Sequence, residues 1–153
     1  MSPDRTHNYI DIENLVGCGK VNHDQVVWAR TQFEATTNPG ALDLVTVGCD
    51  AINAFEVKLV FGGARIVCGH GPDGADLALL EAMQDDLASA LPASRITVGS
   101  GDHIFAPLLS SMATQGIITR VVGIAGHTSA RLRIAAHHTT LLPELATLIE
   151  RTA

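Results

Sequence analysis

The chain reads as an α/β domain built on a central, mainly parallel sheet, and three observations lead there. Short apolar runs alternate with longer amphipathic stretches, the pattern of strand–helix–strand units. Hydrophobic residues make up 46% against 17% charged, so the chain can fill a core and is no disordered tract. With one Trp, one Tyr and four Phe, that core must be aliphatic, drawn from Ala, Leu, Ile and Val. The 153 residues suit a single domain over 1–153, with no internal repeat, linker or low-complexity stretch.

Taken in order, residues 8–12 form a first strand that runs into the acidic segment Asp11, Ile12, Glu13 and Asn14. A helix over 24–36 follows, entered through Asn22 or His23 and stopped by Asn38, Pro39 and Gly40. Residues 42–47 give a second strand. A helix over 51–60 has Ala, Phe and Val at three- and four-residue spacings and ends at Gly62 and Gly63. Residues 64–68 make a third strand, and the turn-rich segment 69–74 leads to a helix over 75–90 that stops near Pro92. The fourth strand is 95–98, followed by Gly99, Ser100, Gly101 and Asp102. A helix over 104–114 ends at Gly116, and 119–124 is a fifth strand. Thr128 is placed to cap a short helix at 129–136. A last strand at 138–141 precedes a helix that Pro143 opens and that runs to about 150.

Composition narrows the function classes. The net charge of −6, with ten Lys and Arg spread along the chain, disfavours tight non-specific duplex binding, which needs a basic patch. An acidic site that meets phosphates through bound cations is compatible with it. No apolar run approaches the roughly 20 residues of a membrane span, and the polar start does not read as a signal peptide. Cys18, Cys49 and Cys68 are odd in number and widely spaced, so neither a disulfide framework nor a CxxC clip follows. A reducing, cytoplasmic setting is the simplest account.

In an open parallel sheet, ligands bind outside the carboxyl ends of the strands. Asp11 ends the first strand, Asp102 follows the fourth, and Asp76 falls in the first turn of the helix after the third. Asp76 and Asp102, each taken alone, are better explained as acids favoured at a helix start. Asp11, set between Ile10 and Ile12, is harder to account for without a site. Clustered carboxylates repel, and a hard cation such as Mg²⁺ or Mn²⁺ removes that cost. The ion can then activate water and neutralise charge on a phosphoryl oxygen.

Three segments resemble motifs of the NYN domain, a branch of the PIN-like nucleases. They run from Tyr9 to Leu15, from Gly74 to Leu79 and from Val98 to Leu108, in the family's order and spacing. A fourth, from Gly126 to Leu132, looks like the last NYN motif, and the resemblance spans about residues 8–142. It implies a Rossmann-like, three-layer α/β/α fold and metal-dependent ribonuclease chemistry. By matching position, Asp11, Asp76 and Asp102 would be the catalytic, metal-binding acids. Asn14 would orient beside Asp11, Ser100 would lie on the floor of the site, and both would serve substrate binding. The chain departs from the family at Ile104, where members commonly carry a further acid, and at Pro72 to Gly74, where a basic residue is usual.

Other signals weigh less. Gly17, Cys18, Gly19 and Lys20 end like a phosphate loop but lack its first glycine and its Ser or Thr. No GxGxxG opens a helix after a strand, and the zinc-deaminase signature is missing. His137 and His138 read as a helix-end pair, and Arg120, Arg131 and Arg133 as solvated surface. The leading expectation is a Mg²⁺- or Mn²⁺-dependent ribonuclease acting on RNA. Its rivals are a catalytically degenerate NYN-like module that binds RNA or a protein partner, and a Rossmann-like phosphohydrolase for small phosphate esters. The aliphatic composition also suits a homodimer.

Overall fold

Strand segments whose two faces are both apolar must be covered on both sides, and that condition shapes the molecule. The computed structural model describes residues 5–89 and 93–145. Among them, β1 (Thr6–Asp11), β2 (Leu44–Asp50), β3 (Arg65–Gly69), β4 (Arg95–Gly99), β5 (Ile118–Ile124) and β6 (His138–Leu142) form one sheet. Every pairing is parallel, and the order is β3-β2-β1-β4-β5-β6. Parallel neighbours need crossover connections, which the helices supply. They are α1 (Ile12–Val16), α2 (His23–Thr37), α3 (Ala54–Val60), α4 (Gly74–Ala88), α5 (Ala106–Thr114) and α6 (Ala130–Ala135).

Alternation along the strands splits the core in two. Ile10 and Val47 pack with Leu15, Val26, Phe33 and Val57, which places α1, α2 and α3 on one face. Tyr9, Val98 and Val121 pack with Leu79, Met83, Leu109 and Leu132, which places α4, α5 and α6 on the other. The expected three-layer α/β architecture is therefore what the chain adopts, with a sheet that is wholly parallel among the described residues.

Local chemistry explains where the elements differ from expectation. Asp11 caps α1 directly, so the first strand passes into a short helix with no loop between; this helix was not anticipated. The second strand is shifted to Leu44–Asp50, because Asp43 closes a turn onto the Gly40 amide. The helices expected at 51 and 104 each begin with a tight 3₁₀ turn, Ala51–Asn53 and His103–Phe105. Asp50 and Asp102 cap these turns by accepting from the amides two residues on. Asn22, not His23, caps α2, in a reciprocal capping box with Gln25. Thr128 is no cap for α6: Ser129 holds that position, and the Thr128 hydroxyl donates to the Ile124 carbonyl at 2.9 Å. The helix expected over 143–150 lies mostly outside the described residues.

A buried polar ring fastens α4 to the sheet. His7 and Tyr9 project from β1 toward α4, joined by Thr46 of β2 and Arg65 of β3. Tyr9 Oη donates to Asp86 Oδ2 at 2.6 Å, and the Arg65 guanidinium forks onto both Asp86 oxygens at 3.0 and 2.5 Å. Arg65 Nε also reaches Thr46 Oγ1 at 3.1 Å, which lies 3.0 Å from His7 Nε2; His7 Nδ1 lies 2.9 Å from Tyr9 Oη. One donor order satisfies every member: Arg65 to Thr46, Thr46 to His7, His7 to Tyr9, and Tyr9 to Asp86. Burial holds the His7 imidazole down to about 4, outweighing the pull of Asp86, and the nearby Arg65 and Arg5 act in the same direction. Burial works to raise Asp86, but Arg65 and Tyr9 keep it below the ordinary carboxylate value.

Asp86→Ala should cost about 2 kcal/mol in a denaturant titration, because it leaves the buried Tyr9 hydroxyl without its acceptor, while the half-exposed Arg65 guanidinium can turn to water. His7 makes a separate contribution that depends on pH. The folded chain keeps it neutral down to about 4, whereas the unfolded imidazole takes up a proton near 6.5. Its stabilising contribution is complete above pH 6.5 and is lost as pH falls toward 4. His7→Gln should flatten that part of the stability–pH curve relative to the wild type.

Candidate functional site

At the β1–β4 boundary the chain turns outward in both directions, and such a switch point opens a crevice at the carboxyl ends of the strands. Asp11 is the last residue of β1, and the register that pairs Ile10 with Gly99 sets Ser100 beside it. The Ser100 hydroxyl approaches Asp11 Oδ2 at 3.4 Å and accepts from the Asp102 amide at 3.2 Å. The Asn14 amide faces Asp11 Oδ1 at 3.4 Å, and the Asn14 side chain accepts from the Gly101 amide at 2.9 Å. Gly101 admits no side chain, since an added Cβ would lie 2.2 Å from the His127 carbonyl oxygen. With the Ser129 amide bonded to the Gly101 carbonyl at 2.9 Å, this close contact ties the loop after β5 to the turn after β4.

Asp76 arrives by a different route. β3 is separated from β1 by β2, so strand adjacency does not deliver it. Instead α4 packs across β3, β2 and β1, and its first turn brings the Asp76 carboxyl close enough to both Asp11 and Asp102 for each to act on its charge. The three sequence-expected acids thus meet in one chain, Asp11–Asp76–Asp102. Among the described residues no group of three or more His, Cys, Asp or Glu forms a ready-made metal cage.

The cleft above them measures about 690 Å³. Its walls carry Asp11, Asp76 and Asp102 together with Glu13, Asp50, Asp73 and Glu144, and among the lining residues there is no Lys or Arg. Asp50, Asp73 and Glu144 were missed in the sequence. Asp50 was within reach of the rule that found Asp11, an acid ending a strand, but the second strand was expected to stop three residues too early. Ser100 lies where expected, yet it has no exposed surface, so it serves Asp11 and the Asp102 backbone and offers no face to a substrate. Ile104 donates its amide to Asp102 and packs its side chain against the core around Phe105 and Leu109.

Several other candidates lie elsewhere. Arg120 pairs in register with His138 at the start of β6, toward the amino ends of the strands, and His137 Nδ1 accepts from the Thr119 amide at 3.0 Å. Arg131 lines a groove between α5 and α6. Gly17, Cys18 and Gly19 form part of the rim of the cleft, but Lys20 is not among its lining residues.

Burial, then the hydrogen bond and charge of Asp76, then the charge of Glu13, push Asp11 well above the ordinary carboxylate range. Burial also raises Asp76, reinforced by Asp102 and Asp73, and burial raises Glu13. The folded chain therefore binds more protons here than the unfolded chain does. Stability from this site is present at low pH and is lost as pH rises through the raised values. In the absence of divalent cations, Asp11→Asn should raise the melting temperature at pH 7.5. The expected gain is about 2–4 °C, the shift that roughly 1 kcal/mol gives in a domain of this size. The gain should shrink at pH 5, and calorimetry at the two pH values checks it.

No protein-family model matches the chain, and no curated protein does. The chain is similar to a crystal structure of a Vibrio parahaemolyticus protein of unknown function, with 17% sequence identity and a TM-score of 0.61. The match covers 91% of this chain and 93% of that one. At that identity the likeness is one of fold, and it extends over nearly the whole of both chains.

Proposed function

We propose that the chain is an NYN-type ribonuclease that hydrolyses RNA phosphodiester bonds with a divalent cation, Mg²⁺ or Mn²⁺, held by Asp11, Asp76 and Asp102. The observation that carries this reading is the contiguous run of three carboxyls at the switch point of the sheet, in a cleft whose lining has no Lys or Arg. The donor set suits such an ion in kind, and the ion would have to draw the three carboxyls around itself. The set is made of hard oxygens, and Glu13 Oε2 is a further buried oxygen with no hydrogen-bond partner. A bound cation would supply an activated water and neutralise charge on the scissile phosphate. The chain's own groups do the rest: Ser100 and the Asn14 amide hold Asp11 in place, and the Asp102 carboxylate is oriented by the Ile104 amide.

A phosphate backbone would be repelled by this cleft unless cations enter first, so cleavage should depend strictly on them. With labelled single-stranded RNA, Mn²⁺ or Mg²⁺ should support cleavage that EDTA abolishes. Asp11→Asn and Asp102→Asn, purified alongside, should lower the rate by about 100-fold or more. Activity without a divalent ion, or undiminished in both variants, rejects the reading.

The apolar packing of Ile104 supports a second reading, a degenerate NYN-like module that binds RNA or a protein partner without turnover. In that case the wild type binds RNA with no cleavage under any divalent ion, and Ile104→Asp gains cleavage. The free state of the three cysteines accords with a reducing, cytoplasmic setting for either reading.

A further inference from the structure

Cys49 and Cys68 are far apart in the sequence, but the β2–β3 register pairs them directly. Their sulfurs stand 3.8 Å apart on the same face of the sheet. Neighbouring strands place Cα atoms about 4.8 Å apart, within the span that a disulfide bridges. The two thiols are unequal: Cys68 is exposed and Cys49 is fully buried. β3 is an edge strand with no neighbour on its far side among the described residues, so the sulfurs can close without breaking a second ladder.

The pair also sits where a small movement is felt in the cleft. Gly69, next to Cys68, touches the backbone of Gly74 so closely that an added Cβ would lie 2.0 Å from the Gly74 carbonyl oxygen. Gly74 opens α4, two residues before Asp76. Asp50, next to Cys49, accepts from the Gly71 amide at 3.1 Å, and its own amide donates to Glu13. A shift of the β3 end toward β2 therefore bears directly on the first turn of α4 and, through Asp50, on Glu13.

We propose that Cys49 and Cys68 form an oxidisable dithiol, which a hydroperoxide closes to an intramolecular disulfide, and that closure displaces Asp76 relative to Asp11. Cys68 meets the oxidant first, since burial pushes the Cys49 thiol well above its ordinary range and keeps it protonated. The Cys68 thiolate attacks one oxygen of hydrogen peroxide and the O–O bond breaks. The departing hydroxide takes the proton lost from Cys68 and leaves as water, and Cys68 becomes a sulfenic acid. Cys49 sulfur then attacks Cys68 sulfur, the S–O bond breaks, and the Cys49 proton leaves with the hydroxyl as a second water. Peroxide is reduced by two electrons and the thiol pair is oxidised by two.

The thiol chemistry stands apart from the ribonuclease reading; its effect on the acids rests on the metal part of it. The full chain, treated with hydrogen peroxide and digested without reductant, should yield a Cys49–Cys68 cross-linked peptide by mass spectrometry. That peptide should vanish with dithiothreitol, be absent in Cys68→Ser and persist in Cys18→Ser. A Cys68 driven to sulfinic acid while Cys49 stays reduced, or a bridge to Cys18, overturns the pair. Mn²⁺ titration of the reduced and oxidised chains reads the coupling. An affinity about 10-fold or more weaker after oxidation, restored by dithiothreitol, is expected, and equal affinities overturn it. If the reduced chain binds no Mn²⁺, the metal reading and this coupling fail together, while the cross-linked peptide still decides the dithiol.

Discussion

The closed ring of hydrogen bonds through Arg65, Thr46, His7, Tyr9 and Asp86 is the constraint on which the candidate site depends. It links three adjacent strands to one helix and leaves none of its buried members without a partner. Apolar packing of Leu79 and Met83 would hold α4 against the sheet in several rotations and offsets, because dispersion has little directional preference. The ring selects one. Asp86 and Asp76 sit ten residues apart on α4, about 15 Å along its axis, so fixing one end aims the other. Asp76 comes from the crossover after the edge strand, and without that aim it would have no reason to stand beside Asp11.

Concentrating carboxylates at one end of a sheet needs something to offset their repulsion, and the fold supplies it through helix starts. Asp11 caps α1, Asp50 and Asp102 cap 3₁₀ turns, and Asp76 lies in the first turn of α4. Asp11, Asp50 and Asp102 thus accept from backbone N–H groups, and Asp76 lies at the positive end of its helix. The same arrangement sets this crevice apart from the phosphate cradle of a dinucleotide-binding sheet. Where such a site needs free N–H groups to receive a pyrophosphate, here a carboxylate already occupies the mouth of α1.

Much of this was readable before any coordinates. The alternation of apolar runs and amphipathic stretches gave all six strands to within a few residues, because strands buried on both faces leave a strong signal. Asp11 was visible as an acid that a strand interior would not tolerate. Strand order was not readable, since hydropathy does not encode which strands are neighbours; the meeting of Asp76 with Asp11 therefore stayed conditional. Asp50 was hidden by the displaced end of β2, which was expected to stop at Val47 and runs on through Gly48 and Cys49. The polar ring was invisible as well. His7, Thr46, Arg65 and Asp86 are unremarkable one at a time, and only the register and the packing of α4 make them a unit. Cys49 and Cys68 were hidden for the same reason.

The central place of β1 has a consequence for how the chain is assembled as it is made. Its two neighbours lie far downstream: Thr6 pairs with Arg95, and His7 with Leu44. A ribosome releases the first strand long before β4 exists to cover its other side, so one row of backbone donors and acceptors stays open until the segment from Arg95 to Gly99 has been made. Contacts of such long sequence separation slow folding. Asp11 gains Ser100 as a neighbour only once that second pairing closes, so the acidic cluster cannot assemble before β4 has been made.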